Sequence, residues 1–151
     1  MDNELQKAKN YAFLLLKYRL RSSKEIRERL KQKKFSAQII EFAVKDLHKS
    51  RLLDDEAFAR AWIDYRLRNK TGIKKLRIEL AVKGIPEGIV EKQLNAVKDD
   101  YNEEKIIKEI IKLKIRKLNS PVDLTAKRRL YSFLLRRGFS PDAVSENIKQ
   151  L

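Results

Sequence analysis

An internal repeat is the feature that most narrows what this chain can become. Aligning Phe35, Ile85 and Phe139 in one column brings Leu30 onto Leu80 and Leu134, and Ile26 onto Leu76 and Leu130. Downstream, Ile40 meets Val90 and Val144, Val44 meets Leu94 and Ile148, and Leu47 meets Val97 and Leu151, at offsets of 50 and 54 residues. Self-similarity at such a period marks an array of recurring supersecondary units. Within each unit the apolar positions fall mostly three or four residues apart, which is helical spacing.

Three helices per unit are therefore expected. In the first unit they run from Glu4 to Leu20, from Ser23 to Lys33 behind a Ser22 to Glu25 capping box, and from Ala37 to Lys49 behind Ser36. The second unit reads Asp55 to Arg68, Ile73 to Lys83 and Pro86 to Lys98. The third reads Tyr101 to Leu118, Pro121 to Arg137 and Pro141 to Gln150, the last two opening on Ser120-Pro121 and Ser140-Pro141, an N-cap followed by proline at the first helical position. The stretch Leu52 to Ile85 has the sharpest punctuation. Asp54 is placed to cap a helix, Leu53 and Phe58 form the apolar pair around that cap, and Gly84 supplies the positive φ that stops the next helix. With only four glycines, three prolines and no strand-like alternation, the chain reads as all-α.

A unit of about 50 residues buries too little surface to fold well alone. The expected architecture is accordingly an elongated array of three tandem three-helix repeats, spanning residues 1–51, 52–98 and 99–151, with a single compact helical domain as the alternative. Tyr11, Phe13, Leu14 and Leu16 surround the first helix on several faces, which suits burial between layers. The connections Ser50 to Leu53 and Lys98 to Asp100 are the expected hinges.

Charge points to an anionic partner. The chain carries 36 Lys and Arg against 21 Asp and Glu, a formal net charge of +15, together with enough hydrophobic residues (42%) for a folded body. Nucleic acid is the first candidate partner, an acidic protein surface the second and a membrane face the third. Twenty of the 36 cations lie in or beside the middle helix of each unit. Two aligned columns are cationic throughout: Lys24, Lys74 and Arg128, and Lys33, Lys83 and Arg137. The first column lies two residues before the apolar Ile26, Leu76 and Leu130 column, about 200° round the helix, and so faces away from the core. Positive charge at a helix N-terminus opposes the helix dipole, so its recurrence favours binding. The second column complements the negative end of the dipole and needs no partner. Around the first column, Arg27, Lys31, Lys75, Arg77, Arg129 and Tyr131 complete a candidate surface for DNA or an acidic protein; Tyr131 occupies the column of Arg27 and Arg77. Tyr65 is a second aromatic off the apolar stripes.

No chemistry stands out. The absence of cysteine removes disulfides, thiolate metal sites and cysteine nucleophiles together. Asp54, Asp55 and Glu56 lack a calcium-loop spacing and read as a cap with first-turn acids. His48, the single histidine, would need a nucleophile or acid beside it to act in catalysis. There is no GxxxxGK[ST] phosphate loop. No cofactor or metal is expected, and the protein is expected to be a binding protein rather than an enzyme. The N-terminus lacks the pattern of a secretory signal, and the longest apolar run, Tyr11 to Leu16, falls far short of the ~20 residues that span a bilayer. A cytoplasmic monomer without a membrane partner is expected.

The segment Leu52 to Ile85 also resembles the RecX family of recombinase regulators. The matching residues are Leu52-Leu53-Asp54-Asp55, Phe58-Ala59, the run Trp62 to Arg66, Gly72, Glu79-Leu80 and Lys83-Gly84-Ile85. A departure is Lys70-Thr71 before Gly72, where the family would have a more arginine-rich, glycine-containing turn. The resemblance implies a three-unit layout and a regulator that associates with the RecA recombinase filament on single-stranded DNA, restricting its ATP turnover and strand exchange without chemistry of its own. The alternative is a basic helical module that binds DNA directly, because a three-helix unit with a basic helix also fits a major groove. An enzyme is the weakest reading.

Overall fold

The computed structural model describes residues 2–151, and among them every regular element is an α-helix: α1 (Asp2–Tyr18), α2 (Ser23–Gln32), α3 (Ala37–Lys49), α4 (Asp55–Arg68), α5 (Ile73–Val82), α6 (Glu87–Val97), α7 (Glu103–Arg116), α8 (Leu124–Arg136) and α9 (Pro141–Lys149). The chain is an all-α tandem of three-helix repeats, one repeat for each successive trio. It packs as two compact units, residues 1–62 with 80–91, and residues 63–79 with 92–151. Each helix of the middle trio thus gives part of its length to each unit.

In the first unit α3 packs against both α1 and α2. Ala8 and Ala12, fully buried four residues apart on α1, leave room for Ile39, Ile40, Ala43, Val44 and Leu47 of α3. Ile26 and Leu30 of α2 are also fully buried, each contributing about 1.5–3 kcal/mol. The outer faces of α1 are not wrapped as expected. Tyr11 and Leu16 are partly buried, but Phe13 and Leu14 are 44% and 54% exposed. One face of α1, the Ala8, Ala12 and Leu15 stripe, suffices to seat it. The second unit has its own core, Ile107, Ile110 and Ile111 of α7 with Leu134, Phe139 and Val144.

The repeat is sharpest where the middle helices stop. Lys34, Gly84 and Gly138, one residue before the Phe35, Ile85 and Phe139 column, all have positive φ (68°, 77° and 94°). The amide of the column residue then donates to the carbonyl of Leu30, Leu80 or Leu134, at 3.3, 3.0 and 3.3 Å. This six-to-one bond, with the five-to-two bond beside it, is the Schellman termination, and it explains why apolar residues recur at both of its ends.

Helix starts differ in detail from expectation. Asp54 caps α4 through the Ala57 amide (3.1 Å), and Leu53 and Phe58 are buried beside it. Ser22 accepts from the Glu25 amide (3.2 Å), but Glu25 does not return the bond. Its carboxylate is held by Arg19 (2.7 Å) and Arg21 (2.5 Å), so the capping box is half made. α8 begins at Leu124 rather than Pro121, because the Asp123 carboxylate accepts the Ala126 amide at 2.8 Å and sets a stronger, charge-assisted cap than Ser120 offers. Ser140-Pro141 does open α9, although the Ser140 hydroxyl makes no cap bond.

Candidate partner-binding surface

The middle helices position most of the candidate cations, and their ends decide what those cations do. In the first unit the start of α2 meets the end of α5. The Lys24 ammonium donates to the Val82 carbonyl at 3.0 Å, and its side-chain carbons lie where a Cβ on Gly84 would be. Lys24 is exposed, as its column predicts, yet its charge complements the negative end of another helix. For Lys24, therefore, positive charge at this position has a structural partner that the isolated helix conceals.

The second unit repeats the arrangement with backbone atoms. The Gly72 amide donates to the Arg137 carbonyl (2.7 Å) and the Lys74 amide to the Gly138 carbonyl (3.2 Å), so the N-terminus of α5 abuts the C-terminus of α8. Lys75 is half-buried with its Cβ against Gly138, while Lys74 is exposed. Gly72 is required here for close approach. A Cβ on it would stand 2.2 Å from the carbonyl carbon and oxygen of Gly138.

Among the other candidates, Arg27, Lys31 and Arg77 are all exposed, and Arg27 is paired with Glu41 (2.9 Å) and so is partly neutralised. The second cationic column is used internally. Lys33 lies over the Tyr11 ring (5.2 Å), Lys83 over Trp62 (4.3 Å) and Phe58 (5.8 Å), and Arg137 donates to the carbonyls of Asn69 and Lys70 at the end of α4. Aromatic faces take the first two rather than the dipole of their own helix.

On α8 the candidates divide. Arg128 and Tyr131 line a groove of about 700 Å³ between α8 and α9, with Leu124, Lys127, Ile148 and Lys149. Arg129, one residue and 100° away, lines a different cavity facing α7. The groove combines three cations with a tyrosine and two aliphatic side chains. Among the described residues its one nearby carboxylate contact is Glu146 to Lys149, 3.7 Å apart and about three-quarters exposed on both sides, which screens little of the charge. Such a surface suits an anionic partner that also offers apolar or aromatic groups. Sequence reasoning missed Leu124, Lys127, Ile148 and Lys149. The available signal was Leu124 and Lys127 at helical spacing from Arg128 and Tyr131; Ile148 was hidden among the core columns, but is only partly buried.

The remaining candidates resolve into structure. The Ser23 hydroxyl lies 2.9 Å from His48 Nε2, but Asp55 accepts the Ser23 amide (2.8 Å) instead of orienting the imidazole, and Ser23 is buried. The three groups tie the starts of α2 and α4 to the end of α3. None of the helices among the described residues is long and apolar enough to cross a membrane.

Comparison with known proteins agrees with the trios. Family models for the first, second and third three-helix domains of RecX match residues 8–47, 54–94 and 102–147. The regulatory protein RecX of Chlorobium phaeobacteroides is 34% identical over 99% of this chain and 97% of its own length, and that of Clostridium acetobutylicum is 33% identical over 99% and 71%. The chain spans 54% of the RecX of Halalkalibacterium halodurans, at 36% identity. The crystal structure of RecX from Lactobacillus salivarius superposes with a TM-score of 0.81 at 24% identity, covering 99% of this chain and 97% of that one. With all three domain models matched in order along a chain whose described residues form nine helices, this chain belongs to the RecX family.

Proposed function

We propose that this protein regulates a RecA recombinase by binding its filament on single-stranded DNA, restricting ATP turnover and strand exchange during DNA repair and recombination. It acts by occupying a surface, as a cytoplasmic monomer with no cofactor and no reaction of its own. The observation that supports this most directly is the groove of α8 and α9, where Lys127, Arg128 and Lys149 surround Tyr131 and Leu124. Cations beside a half-buried tyrosine and an exposed leucine favour a composite partner, protein and nucleic acid together, over a bare phosphate backbone.

The test is co-sedimentation with preformed recombinase filaments on single-stranded DNA, with ATP turnover read in parallel and bare DNA as control. The double reversal Lys127→Glu and Arg128→Glu is expected to weaken filament binding by about ten-fold or more and to relieve the inhibition, since two favourable contacts become repulsive. Lys24→Ala, which removes a cation seated on Val82, is expected to change filament binding little. Equal binding of the wild type to bare DNA and to filaments, with turnover unaffected, would leave the direct DNA-binding module as the function.

A further inference from the structure

A second cavity, separate from that groove, lies between the end of α7 and the opposite face of α8. It holds about 450 Å³, within the range of small-molecule sites. Its apolar side is made by Leu118, Leu130 and Phe133, and its cations are Lys114, Arg129 and Arg136. Lys114 is held at the apolar side, its ammonium 4.1 Å from the centre of the Phe133 ring. Neither arginine is paired with a carboxylate among the described residues. Asp123, the one acid in the lining, is occupied with the Ala126 amide, and the hydroxyls of Ser120 and Thr125 complete the wall.

Both guanidinium groups line the apolar slot at exposed positions with no carboxylate among the described residues to neutralise them, so an anionic ligand can reach them. The chemistry they fit is specific. Guanidinium binds phosphate through two parallel hydrogen bonds, and the slot beside it accepts a flat, weakly polar ring. Three cations against one carboxylate leave a lining charge of +2. That matches a phosphomonoester, which carries close to two negative charges at neutral pH, better than an internal phosphodiester with one.

From this we propose that the α7 and α8 cavity binds one nucleotide bearing a terminal phosphate, with the phosphate on Arg129 and Arg136 and the base against Leu118, Leu130 and Phe133. Two sources carry that chemistry, a free mononucleotide and the phosphorylated end of a strand. The site stands apart from the recombinase reading, since its occupancy is measured on the full chain with no recombinase present.

The experiment compares, by fluorescence anisotropy, a short oligothymidylate labelled at its 3′ end and carrying either a 5′-phosphate or a 5′-hydroxyl, with titration of thymidine 5′-monophosphate as a second arm. A preference of about ten-fold for the phosphorylated end, the scale of one hydrogen-bonded charge contact, is expected. The double substitution Arg129→Ala and Arg136→Ala, both at exposed positions, is expected to abolish it. Arg128→Ala, in the other groove, is expected to weaken both oligonucleotides alike and to keep the preference. End preference identifies strands as the source, and binding of the mononucleotide identifies free nucleotides, provided the double substitution removes the signal. Absence of both signals, or persistence of either in the double variant, would overturn the assignment.

Discussion

Gly72 sits where two helix ends meet, and its substitution gives the sharpest test of the repeat junction. In Gly72→Ala the new methyl would lie 2.2 Å from the carbonyl carbon and oxygen of Gly138 and 2.6 Å from the amide nitrogen of Phe139. These are backbone atoms, which cannot rotate aside, so α5 and α8 must separate. Separation breaks the Gly72 to Arg137 bond (2.7 Å) and the Lys74 to Gly138 bond (3.2 Å). Stranding one buried partner costs about 1–3 kcal/mol, and overpacking costs about the same again, so a loss of about 3 kcal/mol or more is expected. Gly88→Ala is the matched control. Nothing lies within 4 Å of its added methyl, and α6 should gain about 0.5–1 kcal/mol from the better helix former. Urea titration followed by circular dichroism would read both: the midpoint falls by about 1–3 M for Gly72→Ala and rises slightly for Gly88→Ala. A Gly72→Ala protein within about 0.5 kcal/mol of wild type, with unchanged denaturant slope, would refute the close approach of these helix ends.

Lys34 holds a left-handed conformation (φ 68°) where the other two repeats have glycine, so Lys34→Gly is expected to stabilise the protein by about 0.5–1 kcal/mol in the same titration. Burial pushes the Glu25 carboxyl up, but hydrogen bonds and charge from Arg21 and Arg19 outweigh it and hold the group below its usual range. Its contribution is present above the unfolded carboxylate range and is lost as pH falls through the lowered value, so the stability gap between wild type and Glu25→Gln should close on acidification. A gap that is constant with pH would show that the carboxylate is not preferentially held. Burial, reinforced by the charge of Glu103, raises Tyr101 to about 12, the Ile73 backbone acting in the opposite sense. The unfolded phenol ionises near pH 10 and the folded one does not, so stability should fall between about pH 10 and 12, and Tyr101→Phe should remove that part of the fall.

The fold was legible in the sequence because the residues that build it are locally encoded. The Leu30, Leu80 and Leu134 column is fully buried in all three repeats, and Gly84 has the positive φ its place required. At Leu151, 41% exposed, the column leaves the core. Pro121 misled because a local start signal competes with a stronger cap two residues on. The candidate surface was less legible, for a physical reason. Whether a lysine is available to a partner depends on what its ammonium meets across the fold, and Lys24 meets a carbonyl 58 residues away in sequence. Nothing near Lys24 encodes that. Arg128 and Tyr131 line one groove, while Arg129 lines a cavity on another face because a helix rotates 100° per residue.

The sharing of the middle trio bears on how such a protein can be dissected. The chain passes from one unit to the other three times, after Trp62, Glu79 and Glu91, and each passage falls inside a helix, α4, α5 or α6. The expected hinges at Ser50 to Leu53 and Lys98 to Asp100 therefore do not coincide with the boundaries between units. No single cut frees either unit as an unbroken piece of polypeptide. Removal of one repeat, the usual way to map an array, would take material from both units wherever the middle trio is touched. Point substitutions in the intact chain are the sound route to assigning its surfaces, and exchange of the middle repeat between relatives would transplant part of both units along with the surface of interest.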